Sequence, residues 1–239
     1  VAVIAGVIMA IVLAGRGGDG APAPGSTPAI ARRTSIPRSP TPDAGTPIPR
    51  AALHPVKLMF CEPLRELGIG GKIAVLPSDG QVAYKQGTCE PDLDVSGKVA
   101  VRNADGTTSR VVPAYVEVNT APRETIIWTP AKGTLHGEPT VMTGAFLKQD
   151  ALVVFDALGG PALIFNMNDD GKEVFGSLSE RLIGYPLAMF IDGEPVRGTK
   201  GQIIAPTIQS RITDTGQWTG LTLDDAKRIA ALIQYGYAQ

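Results

Sequence analysis

Five kinds of residue in this 239-residue chain could do chemistry. Asp192 stands at the end of the apolar run Leu187 to Ile191, where an enzyme could hold a catalytic acid. Asp169-Asp170 and Asp224-Asp225 are adjacent carboxylates that could share acid–base work. His54 and His136 are the only histidines, and Cys61 and Cys89 the only cysteines. "LGIGGK", with Gly68 to Lys72, has the look of a phosphate loop.

Each has a structural explanation that asks for less. Asp192-Gly193 after a strand is a hairpin signal, because glycine takes positive φ without a steric cost. Both acidic pairs stand at expected helix starts, where carboxylates accept backbone N–H bonds and complement the helix dipole. His54 borders a linker and His136 lies in "GTLHGEP", with no nucleophile motif beside either, so a Ser-His-acid triad has little support. "LGIGGK" has Glu66 where GxxxxGK needs its first glycine and Ile73 where Ser or Thr would hold magnesium. It reads as a turn. Cys61 and Cys89 are spaced too far apart for a redox CxxC. They read as one disulfide of an exported domain, or alternatively as two buried thiols. So few histidines and cysteines would leave any metal site mostly carboxylate. No catalytic, cofactor or metal residue is expected, and no small-molecule substrate. The net charge of −1 leaves no footprint for nucleic acid.

The elements that position these residues fall into four stretches. Residues 1–15, "VAVIAGVIMAIVLAG", are uncharged and read as a transmembrane anchor, possibly truncated. A cleaved signal peptide, with Val12 and Ala14 as the small-residue site, is the rival reading. Residues 16–55 are rich in Pro, Ala and Gly and have little to bury, so they read as a disordered linker. Stretched, this tether would reach roughly 100 Å or more. Its five arginines keep it solvated or touch anionic lipid. Residues 56–140 read as a β-rich extracytoplasmic region, with strands at "VKLMF", "KIAVL", "VAYKQ", "KVAVR", "AYVEV" and "ETIIWT". "CEPLRELG" reads as a helical turn or a loop.

Residues 141–239 are better patterned. "ALVVFD" and "PALIFNM" are strands joined at "ALGG". A helix follows with Val174, Phe175, Leu178, Leu182 and Ile183 on one face, capped by Asp169 or Asp170 and ended by Gly184. "PLAMFID" is a central strand, apolar on both faces. "QIIAPTIQSRI" is the next strand, and "LTLDDAKRIAALIQYG" is a helix with a capping-box-like Thr222 and Asp225. The order β-β-α-β-β-α predicts an α+β fold: an antiparallel sheet with helices packed on one face.

This C-terminal part resembles a known family. "TGAFL", "PALIFNMNDDGKEVFGSLSERLIGYPLAMFIDGEPV", "APTIQSRI" and "LTLDDAKRIAALIQYG" run in the order of the head subdomain of the first periplasmic region of SecD, the Sec translocon accessory subunit. The resemblance covers about residues 142–236. Gly184, Pro186, Asp192, Gly193, Ala205 and Pro206 match it as turn and strand markers. It implies a ferredoxin-like head without enzymatic activity that engages exported polypeptide. Proton-driven pulling does not carry over, because that uses charged residues within six transmembrane helices and at most one such helix is expected here. The expected protein is therefore single-pass in the cell membrane, with its bulk extracytoplasmic. Its expected partners are exported or unfolded polypeptide and Sec translocon components. The alternative is an envelope protein-interaction module that kept the fold without a translocation role. "RGTKGQII" resembles an insertion beside the strand "APTIQSRI". It would uncover or shield that strand's edge, or be a passive surface loop.

Overall fold

A strand buried along its whole length, β1 (Leu58–Pro63), organises the structure. The computed structural model describes residues 54–66, 71–77, 79–236 and 238–239. The expected anchor at 1–15, the linker up to residue 53 and residues 67–70 of the glycine-rich turn lie outside them. After β1 come β2 (Lys72–Val75), β3 (Gln81–Val82), β4 (Val99–Arg102), β5 (Thr108–Val111) and β6 (Ala114–Glu117). Next are β7 (Trp128–Pro130), β8 (Lys132–Leu135), β9 (Glu138–Val141), β10 (Leu152–Phe155) and β11 (Pro161–Asn166). Helix α1 (Asp169–Arg181), β12 (Ala188–Ile191), β13 (Glu194–Pro195), β14 (Thr215–Thr219) and α2 (Leu223–Gln234) complete the order.

The fold is mixed α+β, and every ladder between these strands is antiparallel. The strands do not form the single expected sheet. One sheet runs β13-β12-β1-β7, a second β10-β11-β14 and a third β3-β4-β5, with the pairs β2-β6 and β8-β9 beside them. The physical reason is the apolar character of β12. Met189 faces one hydrophobic cluster and Ala188 and Phe190 face another, so β12 must be covered on both faces and lies inside its sheet rather than at an edge. It finds β1, with Phe60 opposite Met189 and Cys61 opposite Ala188. The ladder therefore crosses the expected 140/141 boundary, which itself falls inside β9. The described part of "CEPLRELG", residues 61–66, forms no helical turn: β1 continues through Cys61, Glu62 and Pro63.

Phe60 carries the central core. Its ring meets Phe165, Phe175 and Trp218 at centroid distances of 5.9, 5.5 and 6.0 Å. The stripe Val174, Phe175, Leu178 and Leu182 of α1 buries against this core, together with Ile229, Leu232 and Ile233 of α2. Ile183 is not part of the stripe. It lies past the end of the helix and is 50% exposed. The α1 cap is also different from the expected one. Asn168, not Asp169 or Asp170, accepts from Gly171 N at 2.8 Å, and the two aspartates occupy the first turn. Asn168 N bonds Phe146 O, which fixes it one residue before the helix begins. In α2 the expected Thr222–Asp225 pairing caps the helix: Thr222 Oγ1 accepts from Asp225 N and donates to Asp225 Oδ2. Such a cap contributes about 1 kcal/mol.

The expected strand over "APTIQSRI" is absent as a ladder. It makes only the isolated bridge Pro186↔Thr207, while Arg197↔Ile203 closes the loop before it. The strand that precedes α2 is β14, "TGQWT", which pairs with β11. Gly216 sits there because a Cβ would lie 2.4 Å from the Phe165 ring. A strand with glycine and glutamine near its centre lacks the apolar β-branched run that marks a buried strand. The "RGTKGQII" segment is a small turn, closed by Gly198 N to Gln202 O at 2.8 Å and by Arg197 Nη1 to Gly201 O at 2.8 Å.

Candidate functional site

The one disulfide, Cys61–Cys89, joins the middle of β1 to the loop that follows Tyr84. That loop, β3 and the β12–β13 hairpin surround a cleft of about 260 Å³. Three aromatic rings form its floor. Tyr84 stacks edge-on against Phe190 at 5.6 Å, and Trp128 meets the same ring at 6.4 Å. The Tyr84 hydroxyl accepts from Trp128 N at 3.2 Å, which points it inward. The rim is charged with both signs, from Arg102, Glu124, Asp192, Glu194 and Arg197.

Asp192 lies on this rim as the first turn residue of the hairpin. Its φ is 52° and that of Gly193 is 87°, as a two-residue hairpin of the primed type needs. Its side chain is engaged: Oδ1 accepts from Lys57 N at 2.8 Å, while Asp192 N donates to Lys57 O at 2.9 Å. The acid at the strand end is thus a turn residue that latches the hairpin to the entry of β1. His136 is the turn residue between β8 and β9, at φ 51°, and its N–H donates to Glu173 Oε1 at 2.7 Å. His54 and His136 are both absent from the cleft lining. Among the described residues no three His, Cys, Asp or Glu side chains gather as metal ligands. The acidic pairs serve the first turns of α1 and α2. Of the family markers, Gly184 has φ 85°, and Pro206 O accepts from Leu187 N at 3.0 Å beside Pro186 and Ala205. These markers hold backbone turns and bring no shared chemistry together. The arrangement can bind through apolar surface and backbone.

Burial pushes the Tyr84 phenol well above its ordinary range, partly offset by the bond from Trp128 N. The sign follows directly. Below the unfolded value near 10 both states are neutral and the stability is intact. Above it the unfolded chain releases the proton more readily than the fold, so stability falls as pH rises. In an ultraviolet titration of tyrosinate, one tyrosine should ionise only as the fold is lost. Tyr84→Phe should remove that late component, and an unchanged late amplitude would contradict the assignment.

A second polar centre was not legible from the residue pattern. Glu62 of β1 is 7% exposed. Arg181, the last residue of α1, grips it with Nη1 to Oε2 at 2.6 Å and Nη2 to Oε1 at 2.9 Å. Arg65 Nη2 approaches Oε2 at 3.4 Å, and Lys132 N donates to Oε1 at 3.3 Å. Arg181 Nη2 also donates to Lys132 O. The site therefore ties α1, β1 and β8 together. Close by, Gly133 lets β8 run against α1, since a Cβ there would sit 1.9 Å from Val174 O.

Comparison with known proteins gives a consistent result over the C-terminal half. Residues 124–237 match the family model described as SecDF, P1 head subdomain. The chain is 38% identical over 97 residues to the protein translocase subunit SecD of Aquifex aeolicus, covering 40% of this chain and 18% of that protein. It is 29% identical over 109 residues to the SecD of Dehalococcoides mccartyi, covering 46% of this chain and 24% of that protein. The chain thus spans about a fifth to a quarter of the length of these relatives. A solved structure titled "Structure and function of a membrane component SecDF that enhances protein export" is 27% identical, covering 43% of this chain and 44% of that one at a TM-score of 0.32.

Proposed function

We propose that this chain, whose residues 124–237 are a SecD-type head subdomain, acts in Sec-dependent protein translocation by binding exported or unfolded polypeptide outside the cytoplasm. The observation that carries the reading is the match itself, which runs from before β7 to beyond α2. The local geometry agrees with a binding role. Asp192 is committed to a turn and a backbone latch, the two acidic pairs stand in helix first turns and His136 occupies a turn, while apolar surface, a mixed-charge cleft and sheet edges are open. Residues 1–15 serve as a single membrane anchor and residues 16–55 as the tether that gives the folded part its reach. The fold works without a cofactor and without enzymatic turnover. No helix among the described residues is long and apolar enough to cross a membrane.

A second reading is an envelope interaction module without a translocation role. It is favoured by the engagement of β1, from outside the matched region, in the sheet of β12. Depleting the chain and following the export kinetics of a set of Sec substrates separates the two. The translocation reading expects slower export that the full chain restores. Unchanged kinetics for every substrate would leave the envelope module.

A further inference from the structure

We propose that the outer edge of β10 docks an extended segment of unfolded polypeptide as an added strand. This rests on the polypeptide-binding reading and gives it a location different from the cleft. Strand β10 is the terminal strand of the β10-β11-β14 sheet. Its direction of hydrogen bonding follows from the hairpin that joins it to β11. Asp156 N donates to Gly160 O at 2.8 Å, closing the turn. Antiparallel pairs alternate, so Val154 opposite Ala162 and Leu152 opposite Ile164 exchange ladder bonds with β11. The N–H and C=O groups of Val153 and Phe155 then point away from the sheet. Pro161 fits this register, since it lies opposite Phe155 at a position where β11 has no N–H to give β10. No backbone bond from outside the ladder reaches Val153 or Phe155 among the described residues.

Sheet edges are normally blunted by charge, proline, a bulge or a covering segment. "LVVF" has no charge and no proline. Its start is bounded by Gln234 Nε2, which donates to Ala151 O at 2.7 Å. Apolar surface stands at both ends, with Leu152 56% and Leu158 96% exposed. Two outward N–H and C=O pairs at alternate residues are complementary to any extended backbone, and the flanking leucines favour apolar side chains on it. Recognition of this kind tolerates varied sequences. A second copy of the chain is a poorer fit. A stable dimer buries about 800 Å² per partner, and a four-residue edge offers far less.

The test uses the full 239-residue chain and a panel of unfolded peptides with apolar residues at alternate positions. Binding is measured by fluorescence anisotropy, and amide exchange is followed at Val153 and Phe155. Two variants blunt the edge differently. Val153→Pro removes an outward donor that the ladder does not use, and Leu152→Lys adds a charge without touching the backbone. The expected result is protection of both amides by peptide and at least a tenfold loss of affinity in each variant, with melting temperatures within a few degrees of the parent. Binding that persists unchanged in both folded variants overturns the edge site but not the polypeptide reading. Absence of binding to the intact chain at high micromolar peptide overturns both. Concentration-dependent self-association that Leu152→Lys abolishes would assign the edge to a second copy and overturn the proposal.

Discussion

Replacing Cys61 and Cys89 together by alanine should lower the unfolding free energy by roughly 3.5 kcal/mol. The bond closes a loop of sequence separation 28, and the loop-closure entropy removed from the unfolded chain gives that size. Both sulfurs are fully buried, so alanine is preferred to serine, which would bury a hydroxyl. The bond joins β1 to the loop carrying Tyr84 to Gly87, one wall of the cleft. Loosening should therefore appear first there, as faster amide exchange between residues 84 and 90. Urea denaturation of the double variant, and of the parent with and without reductant, checks the magnitude. A change below about 1 kcal/mol would mean that the unfolded chain is already restrained in this loop.

Arg181→Ala should cost about 3 kcal/mol. It strips the bidentate partner from a Glu62 carboxylate that is almost fully buried, and an uncompensated buried charge is the expensive outcome. The partial exposure of Arg181 and the nearby Arg65 moderate the loss. Glu62→Gln should cost less, because the amide keeps an acceptor for Lys132 N. The combined Glu62→Gln, Arg181→Ala variant should recover part of the single-site loss, since neither charge is then stranded. Denaturation of the two single variants and the pair forms a double-mutant cycle. Additive losses would contradict a direct pairing of the two side chains.

The elements that were legible in the sequence are those whose signals are local. Helix α2 shows its Thr222–Asp225 box and its apolar stripe within a dozen residues, and β10, β11 and their turn read directly. Asp192-Gly193 reads as a hairpin for the same reason. What was hidden depends on distant partners. Glu62 and Arg181 are 119 residues apart, and no spacing rule links them. The pairing of β1 with β12 joins segments that composition assigns to different regions. Strand β14 is disguised by Gly216, which is there to clear the Phe165 ring. Asn168 takes the cap from two neighbouring aspartates because its backbone is fixed by Phe146. The candidate site follows the same pattern. The cysteines were visible, but the aromatic floor joins Tyr84, Trp128 and Phe190 from three separate stretches. The expected strand "APTIQSRI" forms no ladder, whereas β10 is a terminal strand of the β10-β11-β14 sheet.

The most direct test of the central claim places a photo-activatable benzophenone side chain at Leu158 in the full chain, in membranes carrying a preprotein stalled during export. A second variant carries it at Val95, which is as fully exposed but lies in the turn between β3 and β4. Engagement of exported polypeptide by the SecD-type head predicts a cross-link to the stalled preprotein from position 158 that fades when the preprotein is released, and little from position 95. Equal cross-linking from both positions, or none from 158 while export of that preprotein proceeds through the same membranes, would contradict it.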